Sequence, residues 1–114
     1  MSARYKPDHK TVIDALLLGV EGISTRQMFG HPGYQIAGKM FAYLMEEGVA
    51  VKLPPEAVQA MLKQPHVVPF TPMGGTPMRG WVQINLPDAD GYRAYSGIFE
   101  QAVEYVLEQA ATGQ

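Results

Sequence analysis

Six residues of this chain have the types and the spacing to build a recognition surface: Lys39, Phe41, Tyr43, Lys52, Arg79 and Trp81. They fall in strand-like runs, Lys39-Met40-Phe41-Ala42-Tyr43, Val51-Lys52-Leu53 and Arg79-Gly80-Trp81-Val82-Gln83. Two-residue alternation predicts that the six share one face of a sheet, with Gln83 and Asn85 in the same phase. Trp, Tyr and Arg are the types enriched at binding hot spots, and cations also lie over aromatic rings. The chemistry such a face offers is binding: a protein partner, a second copy of the chain, or a small anionic ligand held by Lys52 and Arg79.

Bond-breaking chemistry finds no comparable set of residues. The absence of cysteine removes disulfides, thiol catalysis and Cys-ligated zinc together. His9, His31 and His66 are widely spaced and lack acidic companions at metal-ligand spacing. His31, in Gly30-His31-Pro32-Gly33, is expected as a solvated turn residue. Met73-Gly74-Gly75-Thr76 lacks the frame of a phosphate loop and precedes a strand rather than a helix. No serine sits in a GxSxG elbow. Paired carboxylates occur only in the Glu46-Glu47 turn and on the ridge Glu100, Glu104, Glu108, where solvation is the default. The seven methionines are expected as core filler. The sequence therefore predicts a non-enzymatic protein with no cofactor and no metal.

The elements that must position the six residues follow from the chain in order. Val12, Ile13, Leu16, Leu17 and Val20 give a helical stripe, with Gly19 and Gly22 as the stop. A strand over 25–29 leads to the Gly-Pro turn at 30–33. From Tyr34 to Leu44 the pattern is strand-like. Gly38 is either a kink within it, or a turn that makes 34–36 a short strand hairpinned to 39–44. Glu46-Glu47-Gly48 turns into a strand over 49–53, and Pro54-Pro55 opens a helix to about Lys63. An extended piece over 66–70, a Gly- and Pro-rich loop and a strand over 79–86 follow. A helix over 91–110 ends the chain, with Tyr92, Tyr95, Phe99, Ala102, Val103, Val106 and Ala110 inward. Val49, Val51, Leu53, Val82, Ile84 and Leu86 should form the sheet face that the helices cover. The expected fold class is α+β, an α-β(3)-α-β(2)-α order with one antiparallel five-stranded sheet packed against helices.

At 114 residues, with 46% hydrophobic and 18% charged residues, the chain fits one folded domain over 1–114, with 1–7 and 111–114 as flexible tails. The formal net charge of −2 argues against direct nucleic-acid contact, which usually leaves a basic footprint. Residues 26–79 are mildly cationic and the last helix is acidic. The N-terminus has no apolar run of a signal peptide, and no segment approaches the roughly 20 apolar residues of a membrane span. The expected location is the cytoplasm.

Arg26-Gln27-Met28-Phe29-Gly30, Gly38-Lys39-Met40-Phe41-Ala42-Tyr43 and Val51-Lys52-Leu53 resemble motifs of the N-terminal domain of the TfoX/Sxy family of competence-regulator-like proteins. Pro69-Phe70, Met78-Arg79-Gly80-Trp81-Val82 and the terminal helix also fit, so the resemblance covers about Thr11 to Ala110. It implies an α-β(3)-α-β(2)-α fold of the secretion-chaperone-like type, shared with YjbR-like proteins. It also implies regulation through partners rather than an enzymatic step, and it brings no catalytic residues. Full-length members carry a second, C-terminal domain.

Overall fold

The computed structural model describes residues 5–28, 30–72 and 75–113. Helix α1 (Pro7–Leu17) is followed by strands β1 (Ser24–Met28), β2 (His31–Ile36), β3 (Lys39–Leu44) and β4 (Val49–Lys52). Helix α2 (Pro55–Met61), strands β5 (Val67–Pro69) and β6 (Trp81–Ile84), a 3-10 helix (Ala89–Tyr95) and helix α3 (Ser96–Thr112) complete the order. All strand pairs are antiparallel. The strand order across the sheet is β1-β2-β3-β4-β6-β5.

The α+β class with an antiparallel sheet is as expected, but the sheet has six strands, not five. Gly38 is in a turn rather than a kink. Ala37 (φ +53°) and Gly38 (φ +76°) both take the left-handed conformation. That is what a two-residue connection needs to match the twist of its strands, and Ile36 pairs directly with Lys39 across it. The Gly30-His31-Pro32-Gly33 turn is also displaced. Met28 pairs with His31, so His31, Pro32 and Gly33 all belong to β2. Pro32 is tolerated there because the β2–β3 pairing begins only at Gly33 opposite Tyr43. At Gly33 an added side chain would displace the flexible Met40 methyl and meet the Arg26 carbonyl oxygen at 3.0 Å. The predicted last helix divides at Tyr95–Ser96 into a 3-10 segment and an α-helix. Of the expected tails, Pro7 opens α1 and α3 extends through Thr112, while residues 1–4 and 114 lie outside the described residues.

All three helices pack on one sheet face. Val12, Ile13 and Leu17 of α1, Met61 of α2, and Phe99, Ala102 and Val106 of α3 share a core with Val49, Val51, Leu53, Val82, Ile84 and Leu86. Those six sheet residues are the ones whose alternation predicts burial under helices. Two hydrogen-bond systems fix the helices to the sheet. The Tyr34 hydroxyl donates to Asp14 Oδ1 at 2.5 Å, and Lys10 Nζ donates to Asp14 Oδ2 at 2.6 Å. Burial and the Asp14 carboxylate hold the Tyr34 hydroxyl far above its ordinary range.

Deeper in, Tyr92 of the 3-10 helix joins α1 to the end of β6. Its hydroxyl donates to the Ile84 carbonyl at 3.0 Å and accepts from the Leu86 amide at 3.2 Å. The same oxygen lies 3.2 Å from His9 Nδ1. With its one proton committed to Ile84, the hydroxyl can only accept from His9, so Nδ1 carries the imidazole proton. His9 Nε2 is then a buried acceptor without a partner among the described residues. Burial lowers the His9 pKa from its ordinary 6.5, with Asp8 opposing. Burial likewise pushes Tyr92 up to about 12.

Candidate functional site

The register of β3 decides which candidate residues can meet. Tyr34 pairs with Ala42 but Gln35 pairs with Met40, so Phe41 is the extra residue of a β-bulge. The bulge breaks the alternation. Phe41 and Ala42 both enter the helix-side core, while Met40 and Tyr43 lie on the opposite face. Phe41 is therefore not a partner of Tyr43 and Trp81. It is fully buried beneath the helices. Lys39 sits opposite Ile36, a helix-side residue, at the mouth of the Ala37-Gly38 turn. It too stands apart from the others.

Tyr43 and Trp81 do come together, with ring centroids 5.2 Å apart. A third ring, Phe70, closes the group at 6.0 Å from Tyr43 and 5.6 Å from Trp81. Phe70 is held in place where the chain leaves β5: the Met78 amide donates to the Phe70 carbonyl at 2.7 Å, and the Trp81 amide donates to the Met78 carbonyl at 3.3 Å. Met28, Met40 and Met45 pack around this cluster half-buried. The trio is covered: Tyr43 is 4% exposed, Trp81 5% and Phe70 1%. Burial raises the Tyr43 pKa, with the Arg26 charge acting against it. Among the described residues no helix residue joins this second cluster. The expected aromatic face is thus a small closed core of its own, shut by Phe70 and by Met28, Met40 and Met45.

Lys52 and Arg79 meet at the margin of that cluster. Lys52 pairs with Trp81 across β4 and β6, and the Leu53 amide donates to the Gly80 carbonyl at 2.9 Å. Beside this junction a cleft of about 560 Å³ opens, walled by the start of α2 and the C-terminal half of α3. Lys52, Gln59, Arg79, Tyr105 and Gln109 supply its polar groups, and Leu53, Pro55 and Val58 its apolar floor. That volume lies within the range of small-molecule sites, roughly 300–1,000 Å³. Among the described residues no carboxylate lies within ion-pair distance of Lys52 or Arg79. Gln109 Oε1 is buried with no hydrogen-bond partner among them. The cleft is at the sheet margin beside α2 and α3. Of the Gly- and Pro-rich loop that precedes Arg79, Met73 and Gly74 lie outside the described residues.

Sequence reasoning misses Tyr105, Gln109 and Phe70. Tyr105 and Gln109 are spaced i, i+4 on α3, outside the apolar stripe, and that spacing is the signal that could have paired them. Phe70 carries no signal beyond being an aromatic at a strand end. His31, expected in solvent, is buried in β2 opposite Met28, and its Nδ1 has no partner among the described residues. Among the described residues no three His, Asp or Glu side chains are grouped to hold a metal ion, and no helix is long and apolar enough to cross a membrane.

No curated protein and no solved structure matches the chain. Comparison with protein-family models matches residues 15–105 to the TfoX N-terminal domain. That span runs from within α1, through the whole sheet, to Tyr105 in the cleft wall, and the chain belongs to the TfoX N-terminal domain family.

Proposed function

We propose that this chain is a non-enzymatic regulatory module whose recognition site is the Lys52–Arg79 cleft, and that its ligand is a small molecule carrying an anionic group. The observation that carries the reading is the pair of cations lining one cleft with no carboxylate of the described residues to neutralise them. Arg suits a carboxylate or phosphate through two parallel N–H donors, and Lys adds a compact point charge. The Gln109 amide gives the ligand a neutral hydrogen-bonding partner, and Tyr105 a ring edge and hydroxyl. The apolar floor of Leu53, Pro55 and Val58 gives the uncharged part of a ligand a surface to bury beside the two charges.

The test is a thermal-shift and calorimetric screen with inorganic phosphate, nucleotide phosphates and di- and tricarboxylates. A saturable, salt-sensitive response is expected from one of these classes, and its loss in Lys52→Ala/Arg79→Ala. A flat response throughout, or an equal response from the double variant, overturns the reading.

A protein partner or a homodimer on the helix-free sheet face is the second reading. Its support is the half-buried set Met28, Met40 and Met45, since flexible thioethers suit adaptable contacts. The outer residues Ser24, Thr25, Arg26 and Gln27 of edge strand β1 are exposed beside it. With the aromatic trio covered, methionines and the edge strand would make the contact. A strict monomer by light scattering at high concentration removes the homodimer. The net charge of −2 weighs against direct nucleic-acid binding on either surface.

A further inference from the structure

The opposite side of α3 carries a surface of different chemistry. At about 100° per residue, Ser96, Glu100, Val103 and Leu107 lie roughly half a turn from Tyr105 and Gln109. Between this side of α3 and the end of α1 runs an open groove of about 310 Å³, floored by Leu16, Leu17, Ile23, Phe99 and Val103. Three of the exposed large hydrophobic residues border it or follow from its walls: Leu18, Val20 and Leu107, each 40% exposed or more. Exposed apolar residues gathered in one place, rather than scattered singly, mark a contact surface.

The rim of the groove has one sign. Glu100 and Glu104 line it, Glu21 follows Val20, and Glu108 continues the ridge one turn on. Helix α3 contains no Lys or Arg. Among the described residues none of these four carboxylates is in an ion pair. We infer that the groove docks a second protein through an amphipathic helix of that partner, with two or three apolar anchors flanked by Lys or Arg.

Two observations choose this occupant. An apolar trough between helices takes anchors at i, i+3, i+4 and i+7 of a partner helix, and a carboxylate rim selects bases beside them. A second copy of the chain does not fit. A two-fold contact would set one acidic ridge against the other, and among the described residues no helix is basic: α2 and α3 contain no Lys or Arg, Lys10 of α1 is committed to Asp14, and Arg93 of the 3-10 helix is paired with Asp90. This site is independent of the Lys52–Arg79 cleft, so either proposal can fail alone.

The probe is a synthetic helical peptide with Leu at i, i+3, i+4 and i+7 and Lys at the flanking positions, titrated into isotope-labelled full chain and followed by NMR. The expected result is saturable binding that weakens with salt, with shifts centred on Val20, Glu100, Val103 and Leu107. Glu100→Lys/Glu104→Lys should weaken it roughly tenfold. Leu107→Ser, an exposed change that leaves the fold intact, should weaken it by a similar factor, while Lys52→Ala/Arg79→Ala should bind as the parent does. Equal binding of a scrambled peptide of the same composition overturns the proposal. So does unchanged affinity in the charge-reversed variant, shifts mapping elsewhere, or self-association through the groove.

Discussion

The central strands of this sheet are buried on both faces, but by different means. The helix side is a continuous core in which strands and three helices contribute branched and aromatic side chains. The other side is a small cluster, Tyr43, Ala50, Phe70 and Trp81, closed by methionines and by the chain after β5. The first is packed by elements whose backbones are fixed. The second is packed in part by thioethers that can move into a gap. Aromatics on a sheet face without helices are therefore not open by default. Here the charges of the proposed site lie at the margin of that cluster, where Lys52 and Arg79 reach the cleft.

The sharpest break of this comparison is a pair of truncations. Phe41→Ala should lose about 3–5 kcal/mol in urea denaturation, because the rigid helix-side core leaves a cavity. Tyr43→Ala should lose less, on the order of 2 kcal/mol, because Met40 and its neighbours can collapse inward. An equal or larger loss at Tyr43 would show that the second cluster is as rigid as the first.

Glycines give the next test. An added Cβ at Gly48 would strike the Ile84 carbonyl oxygen and lie 2.8 Å from the Asn85 Cα, both backbone. Gly48→Ala should cost about 1–3 kcal/mol. At Gly33 the closest obstacle is the mobile end of Met40, so Gly33→Ala should cost about 1 kcal/mol or less. A reversed ranking by equilibrium denaturation would contradict the contrast.

A third test uses pH. His9 is neutral and buried on the helix side, with its folded pKa below the ordinary 6.5. Above 6.5 both folded and unfolded forms are neutral there and its contribution is constant. As pH falls below 6.5 the unfolded chain takes up the proton first, and stability is lost until the folded pKa is passed. Melting temperatures between pH 7.5 and 5 should fall for the parent and fall less for His9→Gln. The smallest effect belongs to the cleft: Lys52→Ala/Arg79→Ala should leave stability within about 0.5 kcal/mol while abolishing anion binding.

What the sequence made legible follows from local rules. The alternation of Val49, Val51, Leu53, Val82, Ile84 and Leu86 identifies the helix-covered face, because both strands run straight there. Alternation fails on β3, since a bulge at Phe41 is set by its pairing with β2 and not by its own residues. Gly-His-Pro-Gly at 30–33 reads as a turn by propensity, yet His31, Pro32 and Gly33 pair with Met28, Gln27 and Arg26 in a tight hairpin, a register that residue propensities alone do not set. Of the six candidate site residues, Lys52 and Arg79 are brought to one cleft, Tyr43 and Trp81 to one buried cluster, and Lys39 and Phe41 to neither. The α3 residues that complete the cleft were out of reach, because nothing in a helix's sequence says which strand junction its polar side will lie beside.

The position of β6 between β4 and β5 bears on how the domain is assembled in time. Strands β1 to β4 pair with their nearest neighbours in sequence and can zip together over short loops. Bringing β6 to β4 instead closes the long segment between Lys52 and Trp81, the kind of non-local contact that slows folding. That closure is also what sets Lys52 and Arg79 at the same cleft. On that order of assembly the proposed recognition cleft is completed late, and a chain caught with only its meander formed would hold both cations without being able to use them together.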